Sequence, residues 1–201
     1  PVWDSAINTG TITGIIVNLS ANPNINGYEL KMGDYIGGFY TGDDGELHCG
    51  GADYWQDTAN IIFPVFGDDP STPEKDGFSY GEVITYKVFS WEFQSSFDVD
   101  EIQLSTNYYT INKWYPLSVI ELIKMNCFED LLIKAGASPD SLCNQGLVSL
   151  STEIYTGAGN FTFDWSSDPT GFTSTLQNPD FDVNETTTFF VEAFDGIHTA
   201  N

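Results

Sequence analysis

Acidic side chains are the densest source of chemistry in this chain. They gather at Asp43-Asp44-Gly45-Glu46 and at Asp68-Asp69, with Glu74 and Asp76 close behind. Hard cations such as Ca2+ take about six to eight oxygens from carboxylates and loop carbonyls. Asp68, Asp69, Glu74 and Asp76 fall within nine residues and can supply several of them. Their spacing is not that of an EF-hand. Asp-Gly pairs also form turns without any ion, so the same residues read equally as turn formers. A Ca2+ site at these four residues is one expectation to test.

Other reactive arrangements are missing. No GxSxG, HExxH, P-loop or paired Cys/His pattern occurs. The two histidines are His48 and His198, and Cys49, Cys127 and Cys143 form no CxxC, which argues against structural zinc. Three thiols, or one disulfide between Cys127 and Cys143, both fit the sequence. With 29 acidic residues a glycosidase-like carboxylate pair is possible by count, yet nothing singles out two of them. The expectation is a protein that is not an enzyme. Trp3, Tyr54, Trp55, Trp91 and Trp114 can stack on sugar rings, but aromatics more commonly pack cores.

Charge narrows the partners. Six Lys and Arg against those acids leave a formal charge of −23. Nucleic acids and anionic membranes need basic patches, so neither is an expected partner. Aromatics make up 15%, too many for a disordered acidic tail. No apolar run reaches the roughly 20 residues of a spanning helix, so membrane insertion is not expected. At 201 residues the chain is long enough for one large or two small cores.

Short strands separated by polar turns must position these groups. Thr11–Leu19 is β-branched and alternates at Ile15, Val17 and Leu19. Tyr35–Tyr40, Asn60–Phe66, Glu82–Phe93 and Val99–Leu104 read as further strands, separated by turns such as Asn22-Pro23-Asn24 and Asp43-Asp44-Gly45. Pro116–Lys134 breaks the pattern. Ser118 with Glu121 three residues on is a capping-box signature, and the apolar residues around them fit a short helix or a buried strand alike.

The run Gly33-Asp34-Tyr35-Ile36-Gly37, Phe39-Tyr40, Cys49-Gly50-Gly51, Trp55, Phe66-Gly67-Asp68-Asp69 and Thr72–Phe78 with Gly81-Glu82 resembles a module of large secreted and cell-surface Bacteroidetes proteins, often type IX cargo. The likeness covers about residues 10–120 and implies an extracellular, all-β, non-catalytic module. Ala137–Cys143, Gly157–Trp165 and Thr186–Gly196 resemble the Ig-like, PKD-related repeats of the same surface proteins. There Trp165 matches a core tryptophan. The usual partner of Cys143 near the last turn is missing, which leaves Cys127. The source so implied also uses Asp-Ser/Thr-apolar tripeptides for O-glycosylation, making Ser5, Thr58 and Ser141 candidate glycan sites. The sequons at Asn18, Asn160 and Asn184 are discounted for that source. Pro1 opens no signal peptide, as in a matured or trimmed secreted chain, and no type IX sorting domain follows.

Two β-sandwich domains are therefore expected, at 1–126 and 127–201. The second carries an incomplete last strand, because only Ile197–Asn201 follow the Asp195-Gly196 turn. Phe189, Val191 and Ala193 share one face of the preceding strand, and Phe190 and Phe194 the other. An open edge of this kind invites a strand from elsewhere. The assembly edge expected is Phe189, Phe190, Val191, Phe194 and Ile197, in a self-assembling extracellular filament or surface subunit. A carbohydrate-binding or adhesin fragment is the alternative.

Overall fold

The computed structural model describes residues 3–143 and 145–201. It is nearly all β, in two compact units that divide between Phe128 and Glu129. In chain order the strands are β1 (Ile12–Val17), β2 (Asn24–Ile25), β3 (Tyr28–Glu29), β4 (Tyr35–Thr41), β5 (Leu47–Tyr54), β6 (Ile61–Phe66), β7 (Thr85–Ser90), β8 (Ser95–Asp98), β9 (Glu101–Leu104), β10 (Val119–Cys127), β11 (Leu132–Ser138), β12 (Gly146–Thr156), β13 (Thr162–Asp168), β14 (Asp180–Val183), β15 (Thr188–Phe194) and β16 (Thr199–Ala200).

The first unit holds two sheets. One runs β3-β2-β10-β1-β6, with β9 also paired to β10, and the other runs β5-β4-β7-β8. β1 and β2 lie in succession along one side of β10, both parallel to it. A 3-10 turn at Leu19–Ala21 takes up the surplus residues between them, capped by the Asn18 side chain. Ile15, Val17, Phe63, Val65, Ile120 and Leu122 are buried from this sheet, and Ile36, Tyr86 and Val88 from the other. Glycines allow close approach. A Cβ on Gly51 would run into the Pro64 carbonyl, and one on Gly50 into the Phe78 ring.

Pro116–Lys134 is not a helix. It supplies β10, the bridge to the second unit and the start of β11. Ser118 caps nothing; its hydroxyl lies 3.2 Å from that of Thr13. Glu121 points into the first unit, 7% exposed, and accepts from Asn18 Nδ2 at 3.1 Å. The Ser105 hydroxyl, then the Asn18 amide, hold its carboxyl below the usual range. A strand paired on both sides is apolar on both faces, so its sequence mimics a buried helix.

The second unit pairs β11-β12-β14 in one sheet and β13-β15-β16 in the other. Its core comprises Leu131, Ile133, Val148, Leu150, Phe163, Trp165, Phe172, Val191 and Ala193. Trp165 is 1% exposed and donates from Nε1 to the Leu176 carbonyl at 3.0 Å, so it is a packing residue.

Candidate functional site

The acidic turns of the first unit are engaged by their own backbone. Asp68 Oδ1 accepts the Asp76 N–H at 3.0 Å, and Asp76 Oδ1 accepts the Asp69 N–H at 2.9 Å. Asp69 Oδ1 accepts the Ser71 N–H at 2.9 Å, and the Ser71 hydroxyl and N–H hold the Asp69 carboxyl below its ordinary range. Glu74 is exposed, and its main-chain oxygen accepts from Thr72 Oγ1 at 3.1 Å. Asp68, Asp69, Glu74 and Asp76 build a turn, and among the described residues no group of three or more His, Cys, Asp and Glu is placed to hold a metal ion.

That turn is latched to the β4–β5 hairpin. Lys75 Nζ pairs with Glu82 Oε2 at 2.8 Å and sits 5.5 Å from the Tyr40 ring centroid, while its N–H donates to Asp43 Oδ2 at 3.0 Å. Glu82 also accepts the N–H groups of Thr41 and Ser79. The acid-and-glycine motif that dominates the first half of the sequence is thus a structural clasp.

The cysteines form no disulfide. Cys127 is fully buried in β10 of the first unit, and Cys143 is exposed in the second. Burial pushes the Cys49 thiol pKa up, which makes it a poor nucleophile. Trp55 and Trp114 are buried and Trp3 packs edge-on against Tyr35 and Phe39, so these three serve packing, while Tyr54 and Trp91 are exposed. A different aromatic surface also appears. Tyr80, 78% exposed, meets Tyr115 at 5.0 Å between ring centroids, and Tyr115 meets Tyr109 at 5.6 Å. These rings come from segments about 30 residues apart, and pairing of Gly81 N–H with the Trp114 carbonyl brings them together.

The expected glycan sites Ser5, Thr58 and Ser141 are all exposed and lie outside the strands. Among the described residues no helix is long and apolar enough to cross a membrane.

The strand edge in the second unit has the sharpest geometry. β15 pairs with β13 at all seven positions, from Thr188 opposite Asp168 to Phe194 opposite Thr162. On its other side β16 meets it at two, Ala193 and Phe194. Val191 and Ala193 face the core, with Phe189 half-buried on the same side; Phe190 and Phe194 face outward at 55% and 41% exposure. Ile197, at 70%, stands on the hairpin rather than on the edge. The turn itself is tightly held. The Asp195 side chain is fully buried and accepts N–H groups from Ala158, Ile197 and His198. These bonds, led by that of His198, pull its carboxyl far below the usual range. His198 Nε2 lies 3.2 Å from Asp130 Oδ2, tying the hairpin to the start of this unit.

At the Thr188 end of β15, away from β16, a groove of about 460 Å³ opens between Ala137, Leu142, Val148, Val183, Thr187 and Phe189. Sequence reading reached the edge through its alternation but not the groove, whose walls come from four separate segments.

The chain matches no protein-family model, and no curated protein or solved structure is significantly similar to it.

Proposed function

We propose that this chain is a structural subunit of an extracellular filament or surface assembly, joined by β-strand complementation at β15. The observation that carries the reading is the outer edge of β15, paired at two of seven positions while the same strand helps build the core. Free edge groups recruit strands, and a strand from another copy satisfies them along with the core beneath. A charge of −23 opposes association of copies, so assembly strengthens with salt. The Debye length falls from about 30 Å at 0.01 M to about 8 Å at 0.15 M ionic strength. Exposed Ser5, Thr58 and Ser141 would carry O-glycans in such a subunit, which mass measurement of native material tests.

Sedimentation and negative-stain microscopy across that salt range test the assembly. Regular oligomers lost in Val191→Pro are the expected result. Monomers at every salt concentration defeat the reading and leave the edge to residues of the same polypeptide.

The tyrosine cluster favours a second reading, binding of a neutral glycan. Tyr80, Tyr109 and Tyr115 offer ring faces with hydroxyl rims, and the acidic surface repels polyanions. Retardation by laminarin, amylose or xylan in native gels, lost in Tyr80→Ala with Tyr115→Ala, is its signature.

A further inference from the structure

We infer that the outer face of the β1–β6 pair is an interface with a second copy of this chain, packed face to face about a two-fold axis. It lies in the first unit, apart from β15, and does not depend on complementation there.

Alternation defines the face. Thr13, Ile15 and Val17 of β1 and Ile61, Phe63 and Val65 of β6 are buried, so the residues between them point the other way. The register sets those in rows, Ile12 with Phe66, Gly14 with Pro64 and Ile16 with Ile62. β10 extends the middle row with Val119, opposite Gly14. None of these is polar, although the outer face of an antiparallel pair commonly is. Ile62 is 65% exposed.

Charge argues for what covers it. The chain carries 29 Asp and Glu, yet residues 5–28, 58–67 and 102–120, which supply β1, β6 and the turn into β10, carry none. Glu121, beside Ile16 in the register, is withdrawn from solvent and held by the Asn18 amide. A basic partner would be drawn to the acids elsewhere. Two copies of a −23 chain repel wherever their carboxylates meet, and pairing through this face sets none against another.

Strand addition is closed off here. β6 ends its sheet, but Pro64 has no N–H to offer and its carbonyl abuts Gly51 of β5. The relief of the face fits a copy of itself. Gly14 leaves a hollow in the middle row, where an added Cβ would meet nothing nearer than Val119 at 3.6 Å. Close by stands Leu117, 88% exposed, whose N–H donates to the Ile12 carbonyl at 2.7 Å. It occupies the third position of the Tyr115–Ser118 turn at a φ of 59°, after Pro116, where glycine or asparagine is usual. Strain of that kind is offset when a partner buries the side chain it presents. In a two-fold pair the Leu117 of each copy lies over the Gly14 hollow of the other.

Sedimentation velocity of the whole chain from about 0.01 to 0.15 M salt reads the pairing, and dimers that tighten with salt are expected. Ile62→Asp and Gly14→Asp each put an unpaired charge into the interface and should weaken it about tenfold or more, with urea midpoints unchanged. Leu117→Asn, which suits the turn, should weaken it without lowering the urea midpoint. Monomers at every salt concentration overturn the interface and leave the face to a different partner. So do dimers indifferent to Ile62→Asp and Gly14→Asp. Dimers tightened by Ile62→Lys also overturn it, because the face then meets carboxylates. Dimers that survive Val191→Pro while longer oligomers vanish keep this interface and the one at β15. Dimers without longer oligomers in either chain spare this face and sink β15, and loss of dimers in Val191→Pro does the reverse.

Discussion

β10 and β15 are both apolar strands near the end of their units, yet they meet opposite fates. β10 has β1 and β2 along one side and β9 along the other. Three consecutive residues, Ile120, Glu121 and Leu122, are buried in it. β15 has one complete neighbour, and burial alternates strictly at its centre, with Val191 and Ala193 inside and Phe190, Glu192 and Phe194 outside. Apolar content alone does not decide whether a strand is central or marginal. The decision lies in which segment elsewhere in the chain has the length and direction to pair with it. For β10 that segment is interrupted by a 3-10 turn and still pairs on either side of the interruption.

The comparison can be broken most severely at the core of the second unit. Trp165→Ala should destabilise that unit by about 3–5 kcal/mol. In urea the core amides of the second unit, Val191 and Ala193 among them, should lose hydrogen-exchange protection early while the first unit unfolds at its original midpoint. Joint loss would show that the two sandwiches do not fold separately.

Acid should act next on the same unit. Asp195 has a depressed carboxyl pKa in the fold, so its contribution is complete above the ordinary carboxylate pKa of about 4 and fades as the pH drops below it. Denaturation midpoints between pH 7 and pH 3 should fall more steeply in the native chain than in Asp195→Asn. Parallel slopes would mean that its three N–H bonds do not persist in solution.

In the first unit, Glu82→Ala removes the partner of Lys75 and of two backbone N–H groups, at a cost of about 2 kcal/mol. Proteolysis should then cut between 67 and 82, and intact loops under limited trypsin would contradict the clasp. The smallest effect belongs to the outward face of β15. Phe190→Thr should change stability by less than about 0.5 kcal/mol, read from the same urea curves, because its side chain meets mainly water. A large loss there would reveal cover on that face.

Much of the fold could be read from alternation. Thr11–Leu19, Tyr35–Tyr40 and Asn60–Phe66 contain β1, most of β4 and β6, while Glu82–Phe93 overreaches β7 because Glu82 and Val83 pair with the 113–114 segment instead. β10 stayed ambiguous because period and burial cannot separate a doubly paired strand from a helix. The site was legible only in part. Phe189, Val191 and their outward neighbours follow a period of two, which sequence displays. The bonds of Asp68 to the Asp76 N–H and of Asp76 to the Asp69 N–H are set by the fold of the turn rather than by its composition, and the three tyrosines and the groove walls depend on contacts between distant segments, which no local pattern encodes.

The parallel pairing of β1 with β10 has a mechanical side. β1 opens the ordered sheet of the first unit and β10 closes it one residue before Phe128. Tension applied through the two ends of this unit pulls neighbouring parallel strands in opposite directions. The bonds from Gly14 to Ser118, Asn18 to Leu122 and Asn26 to Cys127 are then loaded together in shear, instead of being unzipped one after another. A chain strung through this sheet would resist stretching until the whole row gave way at once.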